Sequence, residues 1–361
     1  MSSEIKPKKR FHIKTTLILG LFALGIYAAF IGPSILKPIS PVVVLPAEET
    51  GINILGFPIT NTILATLLAD IVLLLLAISA WRFYRKGGEL PKGFLNAFEW
   101  IMEFLWNTVQ GSAGKWARRI LPVVATIFLI IFTANMIKML PGFESIGRLK
   151  EVHEGTGYAP VKLLSIGEFT LWTIDKGQPV EASAAVHEES AAVEEGASAE
   201  AHSAETEIAA GGAPCTACEV VPFLRGTATD INFPFALAVI TVIMTQVYGV
   251  WAQGPKYFEK FLQFKQLING GPFGLINFVV GLLEIILEFA KILSFGFRLF
   301  GNIFAGALLL SIIGALTAVA VPAGLYLFEV FFGIIQAYVF FLLATIFLSG
   351  ATVSHGHEEQ H

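Results

Sequence analysis

From Ile276 to about Leu316 the chain runs roughly 40 residues without a proline, almost all of them apolar, with Arg298 near the middle. As a continuous helix rising about 1.5 Å per residue, such a run is about 60 Å long, twice what a perpendicular crossing of a hydrocarbon core of about 30 Å needs. The segment, taken as about 275–320, must therefore tilt far beyond the usual 20° or so, or break. A steep tilt implies packing against a curved protein surface rather than lipid alone. Pro322 and Gly324 then predict a turn before a last helix over 325–350, so the chain is expected to finish in a hairpin of two unusually long helices.

Four more apolar runs have spanning length, at 15–32, 61–81, 120–140 and 234–252. Hydrophobic residues make up 55% of the 361 positions and charged ones only 14%, and the mean hydropathy is +0.69. These values belong to a polytopic membrane protein, all-α, with about six hydrophobic helices. The chain is read as an N-terminal anchor and external segment (1–56), helices with a cytoplasmic interfacial helix (57–140), an external loop (141–229), further transmembrane helices (230–352) and a tail (353–361). The stretch 93–119 carries apolar and aromatic residues at helical spacing, which suits a helix lying along the membrane surface or one packed on a partner. "KPKKRFHIK" ahead of the first run could open a signal peptide, but no clear cleavage site follows and a retained anchor is favoured.

Lys and Arg in short loops set orientation. The connection 82–119 holds Arg82, Arg85, Lys86, Lys92, Lys115, Arg118 and Arg119, and 253–274 holds Lys256, Lys260 and Lys265, so both are expected on the cytoplasmic side. Six crossings then leave both termini inside and 141–229 outside. That loop has no Lys or Arg between Lys176 and Arg225 and carries an Ala/Glu tract at about 180–212. The tract has too little apolar surface to offset chain entropy and is expected to be disordered or weakly helical. Cys215 and Cys218 are the whole thiol inventory, so neither a disulfide framework nor a four-Cys zinc site can be built. An external position is oxidising, which would permit a local disulfide.

A net charge of −4 has no nucleic-acid footprint, and no P-loop or GxGxxG stretch offers a phosphate cradle. The chemistry-bearing residues lie in the last two helices instead. With Arg298 as zero and about 100° per residue, Glu284, Glu288, Lys291, Ser294 and Asn302 fall within an arc of about 120°. Glu329 and Gln336, seven residues apart, share one face of the last helix. An ionised group at bilayer depth costs at least about 2.5–3.5 kcal/mol, so such residues are functional candidates. Glu284, Glu288 and Lys291 could equally form a plain salt-bridge cluster. Arg298 differs, because its helical neighbours Ser294 and Asn302 are neutral and guanidinium does not deprotonate. Its counter-charge has to come from another helix or another chain.

"RLFGNIFAG" at 298–306, "TANMIKMLPG" at 133–142, "TDINFPFALAV" at 229–239 and "QAYVFFLLATIFLS" at 336–349 resemble, in order and spacing, subunit a of the F-type ATP synthase membrane sector. The resemblance covers most of 57–352. It implies a non-catalytic stator, without cofactor or metal, in the energy-transducing inner membrane. Its partners would be the rotating c-ring, the subunit b peripheral stalk and the lipid bilayer. Two offset half-channels would carry protons to and from the ring. Arg298 matches the family's essential arginine and Gln336 the glutamine facing it; Asn302, Glu284, Lys291 and Ser294 fall on positions lining the hairpin seam. Asn135, Asp230 and Asn232 match polar positions bordering the external half-channel. Ala307 departs from the pattern, standing where many relatives have an acid or a histidine, so Glu329 would be the lone titratable relay of that channel.

Other readings are less well supported by the residues. A secondary transporter would show internal repeats, which are absent. A channel filter would want rings of ligands from symmetric subunits, and no βαβ pattern surrounds Cys215 and Cys218 to support redox chemistry. Asp70 could border a channel or bond a neighbouring helix, and His355, His357 and His361 read as a solvated end.

Overall fold

The structure, a computed structural model, describes residues 47–54, 56–87, 93–140, 142–144, 146–152, 156–166, 169–181, 215–261, 271–317 and 320–353, with Leu19, Gly20, Ala23 and Tyr27 before them. The apolar run at 15–32, the Ala/Glu tract beyond Glu181 and the terminal histidines lie outside the described residues, isolated positions apart. The chain divides into two bodies. One comprises Val43–Glu144, Leu224–Leu308 and Tyr326–His361; the other comprises Met1–Val42, Ser145–Phe223 and Leu309–Leu325.

In the first body a short antiparallel hairpin, β1 (Glu49–Ile54) and β2 (Phe57–Thr60), leads directly into α1 (Asn61–Arg85). Thr60 makes that start possible: in extended backbone, its hydroxyl accepts the Ile63 amide at 3.4 Å. Arg82 and Arg85 fill the last turn, where cations meet the negative end of the helix dipole. The buried side of α1 is a narrow stripe, Asn61, Thr62, Ala65 and Ala69, with the two alanines packed against Ala134, Ile137 and Phe143. The rest of α1, including Leu67, Ile71, Leu74 and Leu75, is exposed, as a lipid-facing helix requires.

The helix predicted within 93–119 is α2 (Phe94–Ala113), joined by one 3-10 turn to α3 (Ala117–Lys138). Gly114, at φ +50°, makes the cap that a residue with a Cβ would resist. Leu105, Val109 and Ala113, spaced by one turn, are buried, while Phe94 and Trp100 are exposed. α4 (Asn232–Gln253), α5 (Gly271–Thr317) and α6 (Ala320–Thr352) complete the helical set. One apolar cluster joins α2 to α6 and includes Val124 and Phe128 of α3, Phe295, Leu299 and Ile303 of α5, and Ala337, Phe340, Phe341 and Ala344 of α6. Small residues bring the backbones close: a Cβ on Gly296 would stand 2.8 Å from the ring of Phe235 on α4. Buried hydroxyls are satisfied one turn back, Thr241 on Leu237 O at 2.7 Å and Thr345 on Phe341 O at 2.8 Å.

The five apolar runs from residue 61 onward become these long helices, so the chain is a mostly helical, multi-pass membrane protein. The predicted turn at Pro322 and Gly324 is a correction: both residues lie in the opening turns of α6, which starts at Ala320. Proline fits there because the first amides of a helix have no partner to lose.

The second body contains a four-stranded antiparallel sheet that the sequence reading did not foresee, in the order β3 (Gly147–Glu151), β6 (Cys218–Pro222), β4 (Thr156–Ile166), β5 (Phe169–Glu181). β4 and β5 form a hairpin whose alternating β-branched and polar residues (Val161, Thr170, Thr173, Ile174) suit a pleated surface. Cys215 and Cys218 are joined by a disulfide and packed with Tyr158 and Ile174.

Candidate functional site

Rotation of α5 about its own axis decides where Arg298 lies. Phe295, Leu299 and Ile303 form the buried face, which puts Arg298 about 100° from the middle of that face by helical geometry. Arg298 accordingly sits at the rim and is exposed on the isolated chain, as are Ser294 and Asn302 one turn either side. Among the described residues no acid pairs with Arg298. A rim site presents the guanidinium to whatever covers this face in the membrane.

The remaining polar residues of α5 lean inward. Glu288 is buried and accepts the Lys291 ammonium at 2.9 Å, so the expected cluster does contain an ion pair. Lys291 also lies over the Phe347 ring of α6, 5.0 Å from its centroid. Glu284, one turn before Glu288, is half-buried. Toward the other end Asn302 donates its side-chain amide to Gln336 Oε1 at 2.6 Å. Gln336 is 3% exposed, and its own Nε2 has no partner among the described residues.

A file of polar groups continues along the same face of α6. Gly333 lends its carbonyl to Asn135 of α3 at 3.1 Å, and one turn further Glu329 forms a buried ion pair with Lys138, the last residue of α3. Glu329 is thus paired with a cation rather than standing alone. Gly306 of α5 faces the same carboxylate; a Cβ there would stand 3.6 Å from Glu329 Oε1. From Glu329 to Gln336 the file covers about 10 Å of helix.

Asp230 and Asn232 sit together at the start of α4. Asp230 is buried, accepts from the Thr62 hydroxyl at 3.1 Å and from the Asn232 backbone and side-chain amides, each at 3.1 Å. They open onto two cavities, about 360 Å³ lined also by Thr66 and Asp70, and about 650 Å³ lined also by Thr60 and Phe300. Asp70 therefore faces a cavity rather than a helix partner.

Sequence reasoning passed over Lys138 and Thr62. The signal for Lys138 was present: a lysine amid the apolar residues of "TANMIKMLPG" is costly unless answered. Thr62 gave none, because a threonine at the start of a helix is ordinary.

Residues 63–349 match the ATP synthase A chain family. The chain belongs to that family. ATP synthase subunit a of Campylobacter jejuni (strain 81-176) is 24% identical over 80% of this chain and 89% of its own length. The sodium ion specific subunit a of Propionigenium modestum is 24% identical over 84% of this chain and 78% of its own, and ATP synthase subunit a of Desulfosudis oleivorans is 33% identical over 38% of this chain and 57% of its own length. As a member, the chain is a non-catalytic, ion-translocating stator subunit of the ATP synthase F0 complex.

Proposed function

We propose that this subunit passes protons through two offset half-channels to and from a rotating ring of carboxylate-bearing c subunits, with Arg298 meeting each ring carboxylate as it loses its proton. The observation that carries this reading is the placement of Arg298: a permanent cation on the rim of α5, with no acid answering it among the described residues. A passing carboxylate beside such a cation is held ionised by Coulomb attraction in low dielectric, and the cation bars direct passage of the ion between half-channels. Each ion must then travel with the ring, driven by roughly 2.3 kcal/mol per charge per 100 mV.

Gln336 and Asn302 line the seam beside Arg298, held to each other by their mutual hydrogen bond. Glu284, Lys291 and Ser294 line the half-channel at the other end of the hairpin. Asp230, Asn232, Asn135 and Glu329 border the external one, supported by the cavities at Asp230. Both termini are on the cytoplasmic side of the inner membrane, and the peripheral stalk subunit b anchors the stator.

In membrane vesicles carrying the whole complex, Arg298→Ala abolishes ATP synthesis driven by an imposed gradient. Normal ion-driven synthesis by that variant would refute the role. Running the parent at low and high Na⁺ with a protonophore settles the ion: a proton-coupled complex loses synthesis with the protonophore whatever the Na⁺ level.

A further inference from the structure

The Lys138–Glu329 pair has a job beyond neutralisation. It lies between the last residue of α3 and one face of α6, with the side chains 5% and 9% exposed. A cation suits the end of α3, where carbonyls are unpaired and the helix dipole is negative. Yet a buried ion pair is weak evidence for stability, since hydrophobic replacements of such pairs are often neutral or better. The pairing is also incomplete. Lys138 Nζ donates to Glu329 Oε1, while Glu329 Oε2 is buried with no hydrogen-bond partner among the described residues. Buried carboxylates are ordinarily given several donors, so an oxygen left open at this depth calls for a reason.

Lysine chemistry supplies the reason. An ammonium is a compact point charge on a flexible stem that grips one oxygen, where an arginine fork would take both. The surroundings fit the choice: Gly306 of α5 meets the carboxylate on its Oε1 side, where a Cβ would stand 3.6 Å away, Ala307 brings no competing acid, and Asn135 and Gln336 are each engaged in hydrogen bonds of their own.

We propose that Lys138 is a positioning residue of the ion pathway, its ammonium holding Oε1 of Glu329 and thereby presenting Oε2 as the acceptor for the ion passing between α3, α5 and α6. This rests on the reading of Glu329 as a relay. No bond is made or broken at Lys138; the proton arrives at and leaves Oε2 while Oε1 stays gripped.

The test uses membrane vesicles carrying the assembled complex, stripped of the catalytic head, with passive proton conduction measured per incorporated subunit by immunoblot. Lys138→Met and Lys138→Gln are expected to incorporate normally and to conduct at least about tenfold more slowly, the scale of losing an orienting partner. Glu329→Gln falls at least as far. Parental conduction by Glu329→Gln overturns the relay reading itself. Parental conduction by the Lys138 variants, with Glu329→Gln impaired, overturns this inference alone. Lys138→Arg separates positioning from charge: it keeps the cation but is expected to conduct poorly because the fork covers Oε2, and parental conduction there also overturns the proposal. If the neutral Lys138 variants incorporate only when Glu329→Gln is added, or not at all, the pair serves stability and the proposal falls.

Discussion

An arginine keeps its charge at any physiological pH, so placing one in a bilayer requires that something answer it. Here the answer does not come from Ser294 or Asn302, its neighbours one turn away, and among the described residues no acid pairs with it. What the neighbourhood does provide is orientation. Asn302 and Gln336 lock each other through a 2.6 Å bond, leaving one amide nitrogen of Gln336 buried and open. If the two amides act as a unit, Asn302→Ala and Gln336→Ala each slow ATP synthesis, and the double variant is less impaired than the product of the two. The coupling in such a cycle is expected at about 0.5–3 kcal/mol; strictly multiplicative rates would show that the bond has no functional weight.

At the level of elements, the packing of α5 on α6 sets how far each polar side chain lies from the next. That interface is built from alternating bulk: Phe295 meets Phe340 at 4.7 Å between ring centroids, and Ala337 and Ala344 are wholly buried between larger neighbours. Overfilling such a surface forces side chains off their rotamers. Ala344→Leu should therefore destabilise the subunit by about 1–3 kcal/mol, read as a lowered unfolding midpoint in detergent. The same helix tolerates change on its lipid side: Phe331→Leu, at an exposed position, should leave the midpoint and ATP synthesis unchanged. Legibility of the elements follows from the same physics. An apolar run of spanning length becomes a helix because the bilayer allows its backbone little else, so the runs at 61–81, 120–140 and 234–252 correspond closely to α1, α3 and α4. The sheet at 147–222 was not legible, because its strands are mixed in polarity and β6 pairs with β3 and β4 across a long acidic tract.

For the whole molecule, the proposed function asks the first body to hold α3, α5 and α6 against one another while the proposed ring moves past the rim. The Ala/Glu tract has a composition that cannot support a core, and none of the site residues falls within it. Deleting residues 184–211 should leave incorporation and ATP synthesis at parental levels in vesicles; loss of either would assign the tract a role in assembly or conduction. Hydropathy sums, the polar arc of α5 and the RLFGN signature are properties of neighbouring residues, and for that reason the sequence by itself determined the membrane class, the long helices, the family and the singular position of Arg298. Which side chains meet across helices depends on how each helix is rotated about its axis and how closely small residues let it approach the next. Periodicity along one segment does not contain that information. Only the tertiary structure could bring Lys138 to Glu329 across 191 positions of chain, Asn135 to the Gly333 carbonyl, and Thr62 to Asp230, turning a list of polar residues into specific pairs.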